Sequence, residues 1–138
     1  MTKTYFDYDE HDFMRGPYPL TSARIDRLSE QTFGVYVLAD DGPNHRNHRL
    51  TVYIGRGYIK TRLLRHEEGV NAPRYFSFVE IDSLDPHEAN EEAFRIECAL
   101  FHKYGKARYL NNRIHPARPK GRTDLPLCAE SGCTGEAY

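Results

Sequence analysis

The sequence predicts an α/β domain, with a small three-stranded antiparallel or mixed sheet flanked by helices, an irregular N-terminal arm and a C-terminal tail. Three observations predict it. Two short runs with alternating faces, Phe33–Ala39 and Leu50–Gly55, flank a polar loop containing Gly and Pro. A third run, Arg74–Ile81, has the same character. A long stretch after it opens on strong capping residues and closes on glycine. At 138 residues the chain suits one domain with one modest core.

The elements follow in order. Residues 1–20 carry Tyr5, Phe6, Tyr8, Phe13 and Tyr18 among acids, with Gly16 and Pro17 and no regular period, so an irregular arm is expected. Thr21 or Ser22 can cap a short helix running to about Gln31, with Ile25 and Leu28 inward. This arm and helix make a first segment, 1–32; a core spans 33–114 and a tail 115–138. In Phe33–Ala39, Phe33, Val35 and Val37 oppose Gly34, Tyr36 and Leu38, a strand buried on both sides. Asp40–Arg49 is a hairpin loop, and Leu50, Val52 and Ile54 then oppose Thr51, Tyr53 and Gly55. Ile59–Glu68 reads as a short helix stopped by Gly69. Asp85-Pro86-His87-Glu88 reads as N-cap, proline at the first helical position and capping-box glutamate. That helix runs to Tyr104, where Gly105 supplies the stop. After Asn112 the Pro-rich remainder lacks periodicity and is expected to be an extended tail.

Composition narrows the class. Hydrophobic content of 39% and charged content of 28% fit a soluble protein. No apolar stretch reaches the roughly 18 residues of a membrane helix, and the acidic start is no signal peptide. Three cysteines, an odd number, point to a reducing cytoplasm. Cys128 and Cys133 have no second Cys/His pair near them in the sequence, so a zinc knuckle is not expected. The net charge of −1 hides two basic segments, 46–74 and 106–123, around an acid-rich stretch from Glu80 to Glu97, a layout that suits a polyanion.

A few residues carry chemistry. Ala93, Glu97, Leu100 and Tyr104 form one helical stripe, so Glu97 faces the core and needs a cation or several donors. A buried ion pair with an arginine and a metal site both meet that need. Arg62 and His66, four apart, share a helix face. Tyr36 and Tyr53 fall on the faces that carry Gly34 and Gly55, where core packing is the default for a strand tyrosine. Asn111-Asn112 is a turn-forming pair.

Taken together, Gly34-Val35-Tyr36, Tyr53-Ile54-Gly55, Arg62, His66, Glu97 and Asn112 resemble the signature of the GIY-YIG nuclease superfamily, across roughly Phe33 to Asn112. The resemblance implies a GIY-YIG-like fold and a divalent-metal-dependent DNA endonuclease that leaves 5′-phosphate and 3′-hydroxyl ends. It implies one Mg²⁺ or Mn²⁺ on Glu97. Arg62 would clamp the scissile phosphate, and His66 would bond a phosphate oxygen or assist proton transfer. One of the two tyrosines, Tyr53 ahead of Tyr36, would act as base or orient water, with the other completing the network, and Asn112 would tie the C-terminal segment to the site. Arg46, Arg49, Arg56, Lys60, Arg65 and Arg113 are expected DNA contacts.

The chain departs from the family in two respects, a longer hairpin loop and no recognisable partner module for reading duplex DNA. Sixteen residues separate Tyr36 from Tyr53, against about ten in the family, and the longer loop holds Asn44, His45, Arg46, Asn47, His48 and Arg49. Such donors and acceptors can reach a groove or unstacked bases. No duplex-reading module or obligate protein partner is evident. A single-strand-specific cutter, a structure-selective repair or recombination nuclease and a catalytically silent nucleic-acid-binding module are therefore the forms to distinguish.

Overall fold

The computed structural model describes residues 14–40, 51–69, 72–108 and 110–138. The three alternating runs form strands β2 (Phe33–Ala39), β3 (Thr51–Tyr58) and β4 (Tyr75–Glu80), and a further strand, β1 (Arg15–Pro19), precedes them. Helix α1 is Ser22–Ile25, α2 is Ile59–Glu67 and α3 is Pro86–Lys103, followed by a 3₁₀ turn at Lys106–Arg108. All strand pairs are antiparallel, in the order β1-β4-β2-β3. The class is α/β, with four strands where three were expected.

The extra strand comes from the segment read as irregular arm. Gly16 and Pro17 erase the alternating pattern, yet an edge strand tolerates proline because one of its sides needs no ladder donor. β1 is such an edge, paired with β4 through a register shift between Arg15 and Tyr18. The aromatic arm before Met14 and the loop carrying Arg46 and Arg49 lie outside the described residues.

Helix α1 is also shorter than expected. The Thr21 hydroxyl accepts from the Arg24 N–H at 3.3 Å, but the helix stops at Ile25, and the Arg27 and Leu28 N–H groups close three-residue turns instead. One fully buried residue, Ile25, gives too little packing to hold a longer helix. Helix α3 matches its caps better. Asp85 accepts from the His87 N–H at 2.9 Å, and Pro86 opens the helix. The Asp85 N–H donates to Ser83 Oγ at 3.3 Å, so Ser83 rather than Glu88 completes the cap.

Both faces of the sheet are covered. Val35, Val37, Ile54 and Val79 pack under Ala93, Ile96, Leu100 and Phe101 of α3. Tyr36, Leu38, Phe76 and Phe78 pack with Ile25, Ile59 and Leu63 of α1 and α2. Each of the larger apolar side chains contributes about 1.5–3 kcal/mol by burial. β2 runs through the middle, and a Cβ at Gly34 would lie 1.9 Å from the Val79 carbonyl oxygen, so glycine is what lets β4 approach.

The chain beyond Leu110 forms no helix or strand among the described residues, but it is not an outstretched tail. It returns across α3, burying Cys128 against Phe94 and Cys98. This corrects the expectation that Cys128 and Cys133 lack Cys/His company. Cys128 meets His102, 26 positions back, and Cys133 meets His115, 18 positions back. Separations that long are invisible to a short-motif search. Among the described residues no helix is long and apolar enough to cross a membrane.

Candidate active site

The antiparallel register of β2 and β3 assembles the first half of the site. Tyr36 lies opposite Gly55, and Tyr53 lies one step along the same face, opposite Leu38. A Cβ at Gly55 would come 2.4 Å from both Cζ and Oη of Tyr36, so Gly55 makes the space in which that ring lies. The two rings stack with centroids 6.1 Å apart and planes at 23°. Helix α2 follows β3 directly and lowers His66 onto this pair. Tyr36 Oη sits 3.1 Å from His66 Nε2, and the Tyr53 and His66 ring centroids are 4.8 Å apart.

Arg62 is one helical turn before His66 and exposed. Its stem passes over Gly57, where φ is +142° and a Cβ would lie 2.8 Å from Arg62 Nε. The backbone therefore favours glycine at position 57, and a side chain there would displace that of Arg62. Sequence reasoning passed over this glycine.

The second half approaches from the opposite layer. Arg56 points to the α3 face, where its Nη1 meets Glu97 Oε1 at 2.6 Å and its Nε donates to Asn90 Oδ1 at 2.9 Å. The guanidinium also lies 5.5 Å from the centre of the Phe94 ring. Glu97 is 7% exposed. The pair with an arginine, one of the two readings open for this carboxylate, is formed. Arg56, expected as a DNA contact, is placed chiefly against protein. Asn90 was not anticipated, although it stands seven residues before Glu97, two turns along one helix face.

Charge ties the halves together. Burial holds the Glu97 carboxyl above its ordinary range, against the opposing pull of Arg56 and then Arg62. Oε2 has no hydrogen-bond partner among the described residues, so it could serve as an oxygen ligand for a divalent cation. Both phenols are pushed up, Tyr36 by burial and then Tyr53, and Tyr53 by burial and then Glu97, with Arg62 opposing in each case. His66 is pushed down, first by burial and then by Arg62. At neutral pH the site therefore holds two protonated phenols and a neutral imidazole.

The remaining predicted residues divide. The Asn112 side chain accepts from the Ile54 N–H at 3.0 Å and donates to the Ile54 carbonyl at 2.7 Å. It completes the outer backbone edge of β3 as another strand would. A cleft of about 710 Å³ opens beside Arg62 and Arg65, and Arg56, Arg118 and Lys120 add to its wall. Glu30 is the one acid there, so the cleft is strongly cationic. Arg118 and Lys120 were legible as part of a basic segment but not as neighbours of Arg62. Lys60 is half-buried and Arg113 exposed, and neither lines this cleft. No protein family, curated protein or solved structure matches the chain.

Proposed function

We propose that the protein is a divalent-metal-dependent DNA endonuclease of GIY-YIG type, with the cleft at Arg62 as its phosphate-binding site. The observation that carries this reading is the 3.1 Å contact of Tyr36 with His66 within one charge-coupled group that also contains Tyr53, Arg62 and Glu97. A neutral imidazole next to protonated phenols suits proton removal from water. A cationic cleft suits the substrate's backbone.

When bound at Glu97, a Mg²⁺ or Mn²⁺ ion would polarise a phosphate oxygen and offset charge on the leaving 3′ oxygen. The protein's own groups do the rest. Arg62 holds the scissile phosphate through its guanidinium fork as negative charge builds. Tyr53, more exposed than Tyr36, orients the attacking water. The water's proton passes to the Tyr53 oxygen, the Tyr53 proton to Tyr36 and the Tyr36 proton to His66 Nε2. Neither phenol need carry a full negative charge, which their burial disfavours. The water oxygen bonds to phosphorus, the bond to the 3′ oxygen breaks, and that oxygen takes a proton from solvent.

The test is single-turnover cleavage of end-labelled single-stranded, duplex and branched DNA with Mg²⁺ or Mn²⁺, comparing the wild type with Glu97→Gln. Metal-dependent cuts leaving 5′-phosphates in the wild type alone are expected. Tight DNA binding without cleavage on every substrate would instead support the silent binding module. Cleavage by Glu97→Gln at the wild-type rate would remove the metal from this carboxylate.

A further inference from the structure

We propose that His102, His115, Cys128 and Cys133 bind one zinc ion, which staples the Pro-rich C-terminal segment to α3 and holds Arg118 and Lys120 in the cleft wall. The assignment stands on the fold alone and holds whether or not the cleft cuts DNA.

Four donor atoms, one from each side chain, lie within 4.8 Å of one another. With Zn–N near 2.0–2.1 Å and Zn–S near 2.3 Å, a tetrahedral Cys₂His₂ site has nitrogen-to-sulfur edges of about 3.6 Å. His102 Nε2 lies 3.3 Å from Cys128 Sγ, and His115 Nε2 lies 3.8 Å from Cys133 Sγ. These two edges bracket the ideal.

The surroundings are arranged for ligation. His115 Nδ1 is 2.7 Å from the Pro116 carbonyl, so the ring proton sits on Nδ1 and the Nε2 lone pair faces the cluster. Fixing a ligand imidazole through a carbonyl behind it is a recurring device of metal sites. Each sulfur also accepts a backbone N–H from two residues on: Glu130 to Cys128 at 3.3 Å and Gly135 to Cys133 at 3.4 Å. Those N–H groups are placed to share the charge of a metal-bound sulfur. On binding, each thiol gives up its proton to solvent. Zn²⁺ with two thiolates and two neutral imidazoles carries no net charge, which suits a cluster that includes the buried His115 and Cys128.

Soft sulfur with imidazole in a closed set of four selects zinc over magnesium, and leaves no position for water or substrate. The role is therefore structural. The segment from His115 onward has no helix or strand and few apolar side chains, so a metal supplies the cross-link that its own core does not. Ala117, Arg118 and Lys120 follow the first ligand of this segment directly and form one side of the cleft.

The experiment uses the full chain, produced without a histidine tag and purified under reducing conditions. Elemental analysis is expected to find one zinc per chain, unaffected by added Mg²⁺. Replacing zinc with Co²⁺ should give the intense visible bands of a tetrahedral site together with thiolate-to-cobalt charge transfer. Cys133→Ser and His115→Gln should lose the zinc and expose the 117–127 backbone to hydrogen exchange, while Glu97→Gln keeps the full zinc content. A folded wild type that binds neither zinc nor cobalt overturns the proposal, as does stoichiometric zinc in folded Cys128→Ser. Recovery of a Cys128–Cys133 disulfide from the reduced preparation also overturns it. The wild-type measurements decide the matter even if a ligand variant does not fold.

Discussion

Replacing Gly55 with alanine tests how the strand pair builds the site. The added Cβ would stand 2.4 Å from Cζ and Oη and 2.8 Å from Cε1 of Tyr36, far inside the roughly 3.5–4.0 Å of ordinary carbon contact. Tyr36 is 2% exposed, so its ring has no free space to enter and must push its neighbours or break its contact with His66. Overpacking of this kind costs about 1–3 kcal/mol, and losing one hydrogen bond about 0.5–1.5 kcal/mol. The sum is about 1.5–4.5 kcal/mol, a fall in Tm on the order of 10 °C for a domain of this size. The decisive assay is a double-mutant cycle by thermal denaturation. In a Tyr36→Leu background the obstacle is gone, and Gly55→Ala should cost less than about 0.5 kcal/mol, or stabilise slightly by restricting the unfolded chain. An equal loss of stability in both backgrounds refutes the idea that position 55 exists to seat the tyrosine.

Other expected outcomes are as direct. Arg62→Ala should lower single-turnover cleavage by about 10²-fold or more while DNA affinity changes by less than about tenfold, because the fork matters most at the transition state; binding loss with a normal rate in the saturated complex would make Arg62 a docking contact. The neutral imidazole of His66 is the acceptor and its pKa is depressed, so activity should persist below pH 6.5 and fall only as pH drops through that lowered value; a midpoint above 6.5, or an unchanged acid limb in His66→Gln, removes His66 from the relay. Its contribution to stability has the same sign, present above pH 6.5 and lost on acidification. Asn112→Ala should cost about 1–3 kcal/mol by baring the Ile54 edge, read as a lower Tm and faster exchange of the Ile54 amide. Glu97→Gln should fold with a lowered Tm, since an amide oxygen can still accept from Arg56 but leaves that largely buried guanidinium without its counter-charge, and Glu97→Ala should be less stable still.

Elements with strong local signals were legible in the sequence. β2 and α2 began where alternation and helical spacing placed them, and α3 opened on Asp85 and Pro86 because those residues satisfy its first turn locally. β1 was not legible, since Gly16 and Pro17 hide the period and only β4 supplies the pairing. The inward aim of Glu97 could be read from its stripe, because helical spacing fixes direction. Its partner could not, because Arg56 reaches α3 through sheet register, a long-range property. The same limit hid the His102, His115, Cys128 and Cys133 cluster, whose members meet through the return of the tail over α3.

The position of β3 at the sheet edge explains how so small a domain can join polar groups from both of its layers. Successive residues of a strand point to opposite faces, so Tyr53 and Arg56 belong to different layers, separated further in by apolar core. Among the described residues no further strand closes the sheet at this edge, and Gly55 and Gly57 place no side chain between the two layers there. Arg62 then influences Glu97 as well as both phenols, and Glu97 influences both phenols, without any charge crossing the core. An open edge would ordinarily invite another strand to pair with it. Asn112 occupies the Ile54 backbone groups and so blocks that pairing where the two layers meet.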